Sequence, residues 1–426
     1  MKSDRTAVSP AETTQSSPVS TRFRAMQHRN FQLFIAGQLI SLIGTWMQNM
    51  AQLWLVYKLT HSAALLGVFG FASQVPMLFL SSIGGYVGDR YDRHRGVIVT
   101  QAISMILAFA LAALTLTNLI NKWELIWVAF LVGIVNAFDV PIRQAFLVQM
   151  VGKQDLPNAI ALNSSIFNAA RAVGPAIAGF AIALVGAGWC FFLNGLSFVA
   201  VIVALMLMRI QPREIKPSAD SPLRSLVQGF RFAMSDLPVR STLLLLSTLS
   251  LFGLQYSVLM PIYAQDILKG DAQTLGWLMS GAGVGAAIGA LHFAARTHYR
   301  GLARWIAATS TTCAVCLVLF SLANKLWLCM AIISVVGFAA TSQMAATNTL
   351  IQNRVPDELR SRVMAVYATM FMGVQPLGAL IAGGAAKRIG APHTLAVFGS
   401  LVLLGSLIFI VRVAMRLGET QTAPAD

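Results

Sequence analysis

The chain is built around apolar runs of about 20 residues, the length at which a helix crosses the hydrocarbon core of a bilayer. Twelve such runs follow one another, near 31–57, 63–87, 96–119, 125–149, 156–184, 187–209, 241–264, 273–295, 302–322, 327–351, 360–387 and 392–415. In lipid each run must satisfy its backbone groups internally, which makes it a helix. The expectation is an all-α membrane protein with twelve transmembrane helices. Only 11% of the 426 residues are charged and 56% are hydrophobic, so little chain is left for a soluble domain.

The longest connection, 210–240, is polar and carries Arg213, Glu214, Lys216, Asp220, Arg224, Arg231 and Arg240. It reads as a cytoplasmic linker between two six-helix halves, 30–209 and 241–416. Residues 1–29 are rich in Ser, Thr and Pro and lack the apolar stretch of a secretory signal. They and residues 417–426 read as disordered cytoplasmic tails.

A net charge of +15 would suit a nucleic-acid binder, but the basic residues sit in short connections between apolar runs. There they set orientation. With the N-terminus inside, only Lys58, Lys122, Lys269, Lys325, Lys387 and Arg388 of the 31 Lys and Arg face outward. That asymmetry places both termini in the cytoplasm.

The halves repeat at an offset of 204 residues. Gly85, Gly133, Gly174, Gly179, Gly186 and Gly195 pair with Gly289, Gly337, Gly378, Gly383, Gly390 and Gly399. Glycines at equivalent places in helices allow close packing, and parallel six-span repeats around a central site characterise one group of secondary transporters. The four cysteines, Cys190, Cys313, Cys316 and Cys329, lie in apolar runs and read as packing residues, with no metal site expected.

Of the 16 acids, only Asp139 lies well inside a run. It stands in NAFDVPIRQAF, with Pro141 and Arg143 beside it, about 16 Å along the helix from residue 150. Arg171 on the next helix lies about 22 Å from residue 156 by the same rule. An intramembrane charge costs about 2.5–3.5 kcal/mol on insertion scales, so pairing is expected. Asp139 has two candidate partners: Arg143, one turn away on its own helix, and Arg171, expected at similar depth. A pair that breaks would bind and release a proton; one that holds would fix the fourth and fifth helices in place. His292 is a second candidate titrating group.

The loop after the second run reads GGYVGDRYDRHRG. Its Gly85, Asp89, Arg90 and Arg93 resemble the G-x-x-x-D-R-x-x-R signature of the major facilitator superfamily, with Asp92 where the family usually has glycine. The equivalent loop keeps Gly289, Arg296 and Arg300 but has Phe293 at the acidic position. The resemblance implies a cluster that latches the two halves in one conformation. RAVGPAIAG, with Gly174, Pro175 and Gly179, resembles the fifth-helix pattern of exporters that run as antiporters. Read without the family, it is a packing motif. DLPNAIALNS and VPDELRSRVMAVY are similar to the branch of siderophore exporters, macrolide efflux pumps and lysophospholipid transporters.

The resemblance implies two pseudo-symmetric six-helix bundles around a cavity lined by the first, fourth, seventh and tenth helices. On the first, Gln38, Ser41, Thr45, Gln48 and Gln52 fall at steps of 3 and 4 and share a face. The tenth offers Ser334, Thr341, Asn348 and Gln352, and the seventh Ser247, Ser250, Gln255 and Tyr256. These amides and hydroxyls suit a neutral or mixed polar and aromatic cargo; helix-to-helix hydrogen bonding is the competing use.

The expected function is export of a small organic molecule, drug-like or a siderophore, by a monomer in the cytoplasmic (inner) membrane. The expected driving force is proton antiport with alternating access and no cofactor. A lysophospholipid flippase of the same fold is the alternative, and a channel a more distant one. An enzyme is disfavoured, since no HExxH, polar Ser-His-Asp grouping or phosphate loop is present.

Overall fold

In the computed structural model, which describes residues 23–210, 222–296 and 301–414, the apolar runs are helices whose ends are set by the polar residues between them. The first three are α1 (Arg29–Thr60), α2 (Ala63–Arg90) and α3 (Arg93–Leu116). The helical run Lys122–Val185 turns back at Gly152, whose φ of +74° only glycine adopts freely. It is numbered α4 (122–151) and α5 (153–185). Then come α6 (Ala187–Met206), α7 (Pro222–Ser235), α8 (Leu237–Ile267) and α9 (Ala272–Ala294). The last are α10 (Leu302–Leu322), α11 (Leu326–Arg354), α12 (Asp357–Ile389) and α13 (Ala391–Val413).

Caps start these helices where the sequence turns polar. Asp92 accepts from the backbone N–H groups of His94 and Arg95, Asp236 from that of Val239, and Asp271 from those of Gln273 and Thr274. Asn121 and Glu124 form a capping box. Among the described residues, ten helices are long and apolar enough to cross a membrane, with 122–185 counted as one. The 32-residue α1 is not among them, because its polar stripe lowers its hydropathy.

Two helices are interrupted at neighbouring places. In α8, Gly253–Gln255 winds as a 3-10 turn; α12 breaks at residues 373–374. The Gln255 amide donates to the Ser250 carbonyl at 2.8 Å and the Gln375 carbonyl at 3.5 Å, and the Ser250 hydroxyl to the Phe371 carbonyl. Side chains of α8 thus satisfy carbonyls that both breaks leave free, as a bilayer-embedded helix requires.

The 204-residue repeat is visible in what the glycines touch. Gly174 seats α5 on Ile43 and Trp46 of α1; Gly378 seats α12 on Leu251 and Gln255 of α8. Gly133 meets Ser73 and Pro76 of α2, and Gly337 meets Ala282 and Ala286 of α9. Gly195 lies on Phe109 of α3, and Gly399 on Ala314 and Val318 of α10. Gly186 and Gly390 make matching turns at φ +92° and +83°. The exception is Gly85, which touches nothing within 4 Å; its neighbour Gly84 packs against Ala137 and Phe138 instead.

Gly179 and Gly383 complete the pattern by crossing between the halves. A Cβ on Gly179 would stand 2.9 Å from the Ala272 carbonyl of α9. One on Gly383 would stand 2.6 Å from the Ala63 carbonyl and 2.7 Å from the Gly67 Cα of α2. Both crossings lie toward one end of the molecule, the far end, which carries the α1–α2, α5–α6 and α8–α9 turns. There the Tyr57 hydroxyl donates to Asp266, and the Gln265 amide meets His61 at 3.5 Å.

At the opposite end, which carries Gly152 and α7, the halves part. Ser164, Asn168, Ala172, Pro175 and Gly179 fall at steps of 4, 4, 3 and 4, one face of α5. Ala172, Pro175 and Gly179 pack on α9, whereas on the same face Asn168 is half-buried and Ser164 exposed. The same surface is therefore closed in its far half and open in its linker half.

One expectation changes here. Residues 24–27 of the expected N-terminal tail form a 3-10 turn, with Ala25 fully buried and its N–H donated to Asn158 at 3.0 Å. His28 meets Asp155 at 2.8 Å, so one acid and one amide at the start of α5 dock the end of the tail. Residues 1–22, 211–221 and 415–426, with most of the tails and part of the linker, lie outside the described residues, as does Arg300.

Candidate functional site

Asp139 is 2% exposed, and donors surround it on two helices. One carboxylate oxygen accepts from the Thr100 hydroxyl at 2.6 Å and the Gln101 amide at 3.0 Å, both on α3. The other pairs with Arg143 at 2.9 Å. The i, i+4 spacing on α4 brings that pair together despite Pro141 between them. Asp139 therefore faces α3. A cavity of about 650 Å³, lined by Arg90, Arg95, Val99, Thr100, Phe138 and Ile142 among others, opens on that side.

Arg171 is not the partner of Asp139, and the turn explains why. The helices reverse at Gly152, so residues 153–156 are already part of α5. Counted from Gly152, Asp139 lies about 20 Å along α4 and Arg171 about 28 Å along α5. The expected similar depth gives way to an offset of about 9 Å, more than one helical turn. Arg171 lies instead over the Trp46 ring of α1, 5.8 Å from its centroid, and beside the Tyr256 hydroxyl of α8. Its own carbonyl is part of the close α5–α9 approach, 2.5 Å from where a Cβ on Gly283 would stand. Trp46 packs edge-on to Phe167 at 5.8 Å. One arginine thus joins α1, α5, α8 and α9 at mid-depth, where the closed part of the seam meets the open part.

The loop GGYVGDRYDRHRG is tied within the first half. Arg93 pairs with Asp89 at 2.9 Å and donates to the Gly88 carbonyl at 2.9 Å and the Ala145 carbonyl of α4 at 3.0 Å. Arg90 lies over the Tyr86 ring at 4.5 Å. All of these partners precede residue 146, so in this conformation the cluster joins α2, α3 and α4 and does not bridge the halves. The contact of α2 with α12 lies deeper, where Leu78 stands 2.8 Å from where a Cβ on Gly373 would be. Gly174, Pro175 and Gly179 are packing positions on α1 and α9.

The expected cavity residues divide into two groups. Gln38, Gln48 and Gln52 are buried; the Gln48 amide oxygen accepts from Asn194 of α6 at 2.8 Å, and Gly44 packs on the same Asn194. Gln48 is thus engaged by α6, the competing use that periodicity leaves open, while the Gln52 amide nitrogen is buried without a partner. Gln255 is buried at the paired helix breaks. Thr45, Thr341 and Asn348 are half-buried, and Tyr256 stands at Arg171. His292 stacks on Trp305 and Phe338.

The sequence reading missed Trp46, Phe167 and Asn168 around Arg171, and Thr100 and Gln101 around Asp139. The repeat offset held one signal: Asp139 and Arg143 map onto Gln343 and Thr347 of α11. Both are fully buried, with no hydrogen-bond partner at either amide atom of Gln343 or at the Thr347 hydroxyl. The second half has kept the polar site and dropped its charges.

Residues 20–426 match the family model described as "Transmembrane secretion effector". The chain is 26% identical to the Staphyloferrin A transporter of Staphylococcus aureus, over 88% of this chain and 94% of that one. It is 26% identical to the Multidrug efflux pump Tap of Mycolicibacterium fortuitum, over 84% and 90%. To the Enterobactin exporter EntS of Shigella boydii it is 23% identical, over 91% and 93%. Among solved structures it resembles a bacterial homologue of the human lysosomal transporter Spinster, with TM-score 0.70, 13% identity and coverage of 96% and 100%. It also resembles the nucleoside transporter NupG, with TM-score 0.70, 13% identity and coverage of 90% and 100%. The chain is a multi-pass membrane protein of the major facilitator superfamily, a transporter and not an enzyme, and belongs to its transmembrane secretion effector family.

Proposed function

We propose that the protein is a secondary active exporter of a small organic molecule, drug-like or a siderophore, in the cytoplasmic membrane. Its helices make twelve crossings in two six-helix bundles: α1–α6, with α4 and α5 counted separately across Gly152, and α8–α13. The matched glycine contacts of the two halves support this division. Both termini and α7 face the cytoplasm, consistent with the Lys and Arg bias. A monomer contains the whole seam.

The observation that carries the reading is the seam that is closed at the far end and open at the linker end. With the linker end cytoplasmic, the opening admits cargo from the cell. Rocking the bundles about the mid-depth contact at Arg171 would part the glycine crossings and release cargo outside, as alternating access requires. Asp139 is the acid proposed to take up the coupling proton. It is the only carboxylate deep in an apolar run, and its α3 donors are on a different helix from Arg143.

Relatives named for siderophore and drug export support outward transport of a small molecule. Cells carrying the chain are expected to retain less of at least one compound in a mixed drug and siderophore panel than cells without it. Collapsing the proton gradient is expected to remove that difference. Retention unchanged by the chain across the panel would contradict export, and export indifferent to the uncoupler would contradict proton coupling.

A further inference from the structure

Arg171 is a membrane-embedded cation with no carboxylate. Among the described residues, no acid lies within salt-bridge distance of it. The only other acid at depth, Asp139, is held by Arg143, Thr100 and Gln101. The groups on the Arg171 guanidinium, the Trp46 ring and the Tyr256 hydroxyl, carry no formal charge. The intramembrane ledger of Asp139, Arg143 and Arg171 therefore closes at one positive charge.

That charge stands where the halves begin to part. Asn168, half-buried, is one turn before it toward the linker end and Ser164, exposed, one turn further; Phe167 is exposed as well. Trp46 and Phe167 supply aromatic surface beside it. A cation at the blind end of an opening with low-dielectric walls attracts anions more strongly than the same cation in water. The guanidinium fork matches the two oxygens of a carboxylate.

We infer that Arg171 receives an acid group of the exported molecule, so that the cargo is a small organic anion, such as a carboxylate, with its apolar part along Trp46 and Phe167. This inference rests on the export reading above. It also ties cargo to motion. Arg171 belongs to the first half and Tyr256 to the second, so a bound anion touches both, and parting the seam removes one wall of its site.

The test uses energised everted membrane vesicles carrying the full chain. The probes are naphthoate, salicylate and tricarballylate, each paired with its amide and presented with a cationic dye such as rhodamine 6G. Wild-type vesicles are expected to accumulate at least one acid over its amide. Arg171→Gln is expected to lower that uptake about ten- to a hundredfold, the worth of a charge-assisted hydrogen bond. Arg171→Lys, which keeps the charge without the fork, is expected to retain part of it. If Arg171→Gln does not fold, the acid-to-amide ratio of wild type and the Lys variant decides.

Uptake of amides or dye with no preference for acids would overturn the inference and leave export standing. Acid uptake unchanged in Arg171→Gln would overturn it as well. Arg171-dependent flipping of a fluorescent lysophosphatidylglycerol without acid uptake would give the charge to a lipid headgroup, and so overturn a soluble cargo. Uptake of no probe and no flipping would remove the export reading and this inference together.

Discussion

Asp139→Asn is expected to abolish gradient-driven export and to lower the yield of folded protein. Asparagine keeps an oxygen for Thr100 and Gln101 but turns an NH2 group toward Arg143, so donor meets donor in a buried site. Removing one partner of a buried ion pair costs about 3–5 kcal/mol, chiefly because the other charge is left uncompensated. The paired variant Asp139→Asn with Arg143→Gln removes that charge too, and is expected to restore folded yield. The two roles of the pair separate at this point. If Asp139 carries the coupling proton, the paired variant folds but still lacks uncoupler-sensitive export. If the pair only positions α3 against α4, export returns with the fold. Folded yield by size-exclusion chromatography and export from the same cells measure both.

Gly383→Val and Gly179→Val are expected to produce the other large effect, by holding the far end ajar. A side chain at Gly383 meets the Ala63 carbonyl and Gly67 Cα, and one at Gly179 meets the Ala272 carbonyl, all backbone that cannot swing aside. Overpacking of this kind costs about 1–3 kcal/mol. It acts only on the conformation in which the crossing is closed. The whole cost therefore appears as a shift of about 5- to 150-fold away from the linker-open state. Export should fall by a comparable factor with the protein still folded, since neither position is within the core of its own half. Gly384→Val is the control: a Cβ at Gly384, beside Gly383 on α12, would meet nothing within 4 Å and should be tolerated. Equal losses at all three positions would mean that the glycines act through general helix stability.

The division between what could and could not be read in the sequence follows the range of each interaction. Helix positions were legible because about 20 apolar residues and a polar cap are local signals, and Asp92, Asn121, Asp236 and Asp271 start helices where the runs begin. The glycine repeat was legible because close helix crossings tolerate few other residues. The partner of Asp139 was not settled, since it depended on whether the chain reverses at residue 152 or several residues later. A positive φ at a single glycine widened the offset of Asp139 and Arg171 from about 6 Å to about 9 Å. The use of Gln48 on the α1 stripe was hidden for another reason. Periodicity shows that Gln38, Gln48 and Gln52 share a face but is silent on whether that face meets a cavity or α6. Asn194, on a distant part of the chain, decides it. The setting of Arg171 was hidden for the same reason, as Trp46 and Tyr256 come from two other helices.

The most direct measurement is the sidedness of a cysteine at Asn168, placed by Asn168→Cys in a chain whose four native cysteines are replaced. Asn168 is half-buried on the open stretch of the seam face, one turn from Arg171. A membrane-impermeant maleimide should label it in everted vesicles, through the cytoplasmic opening, and not in intact spheroplasts. In the Gly383→Val background, labelling from outside should rise. Labelling of the otherwise unmodified chain from outside alone, or equally from both sides, would contradict a seam that is closed outward and open inward.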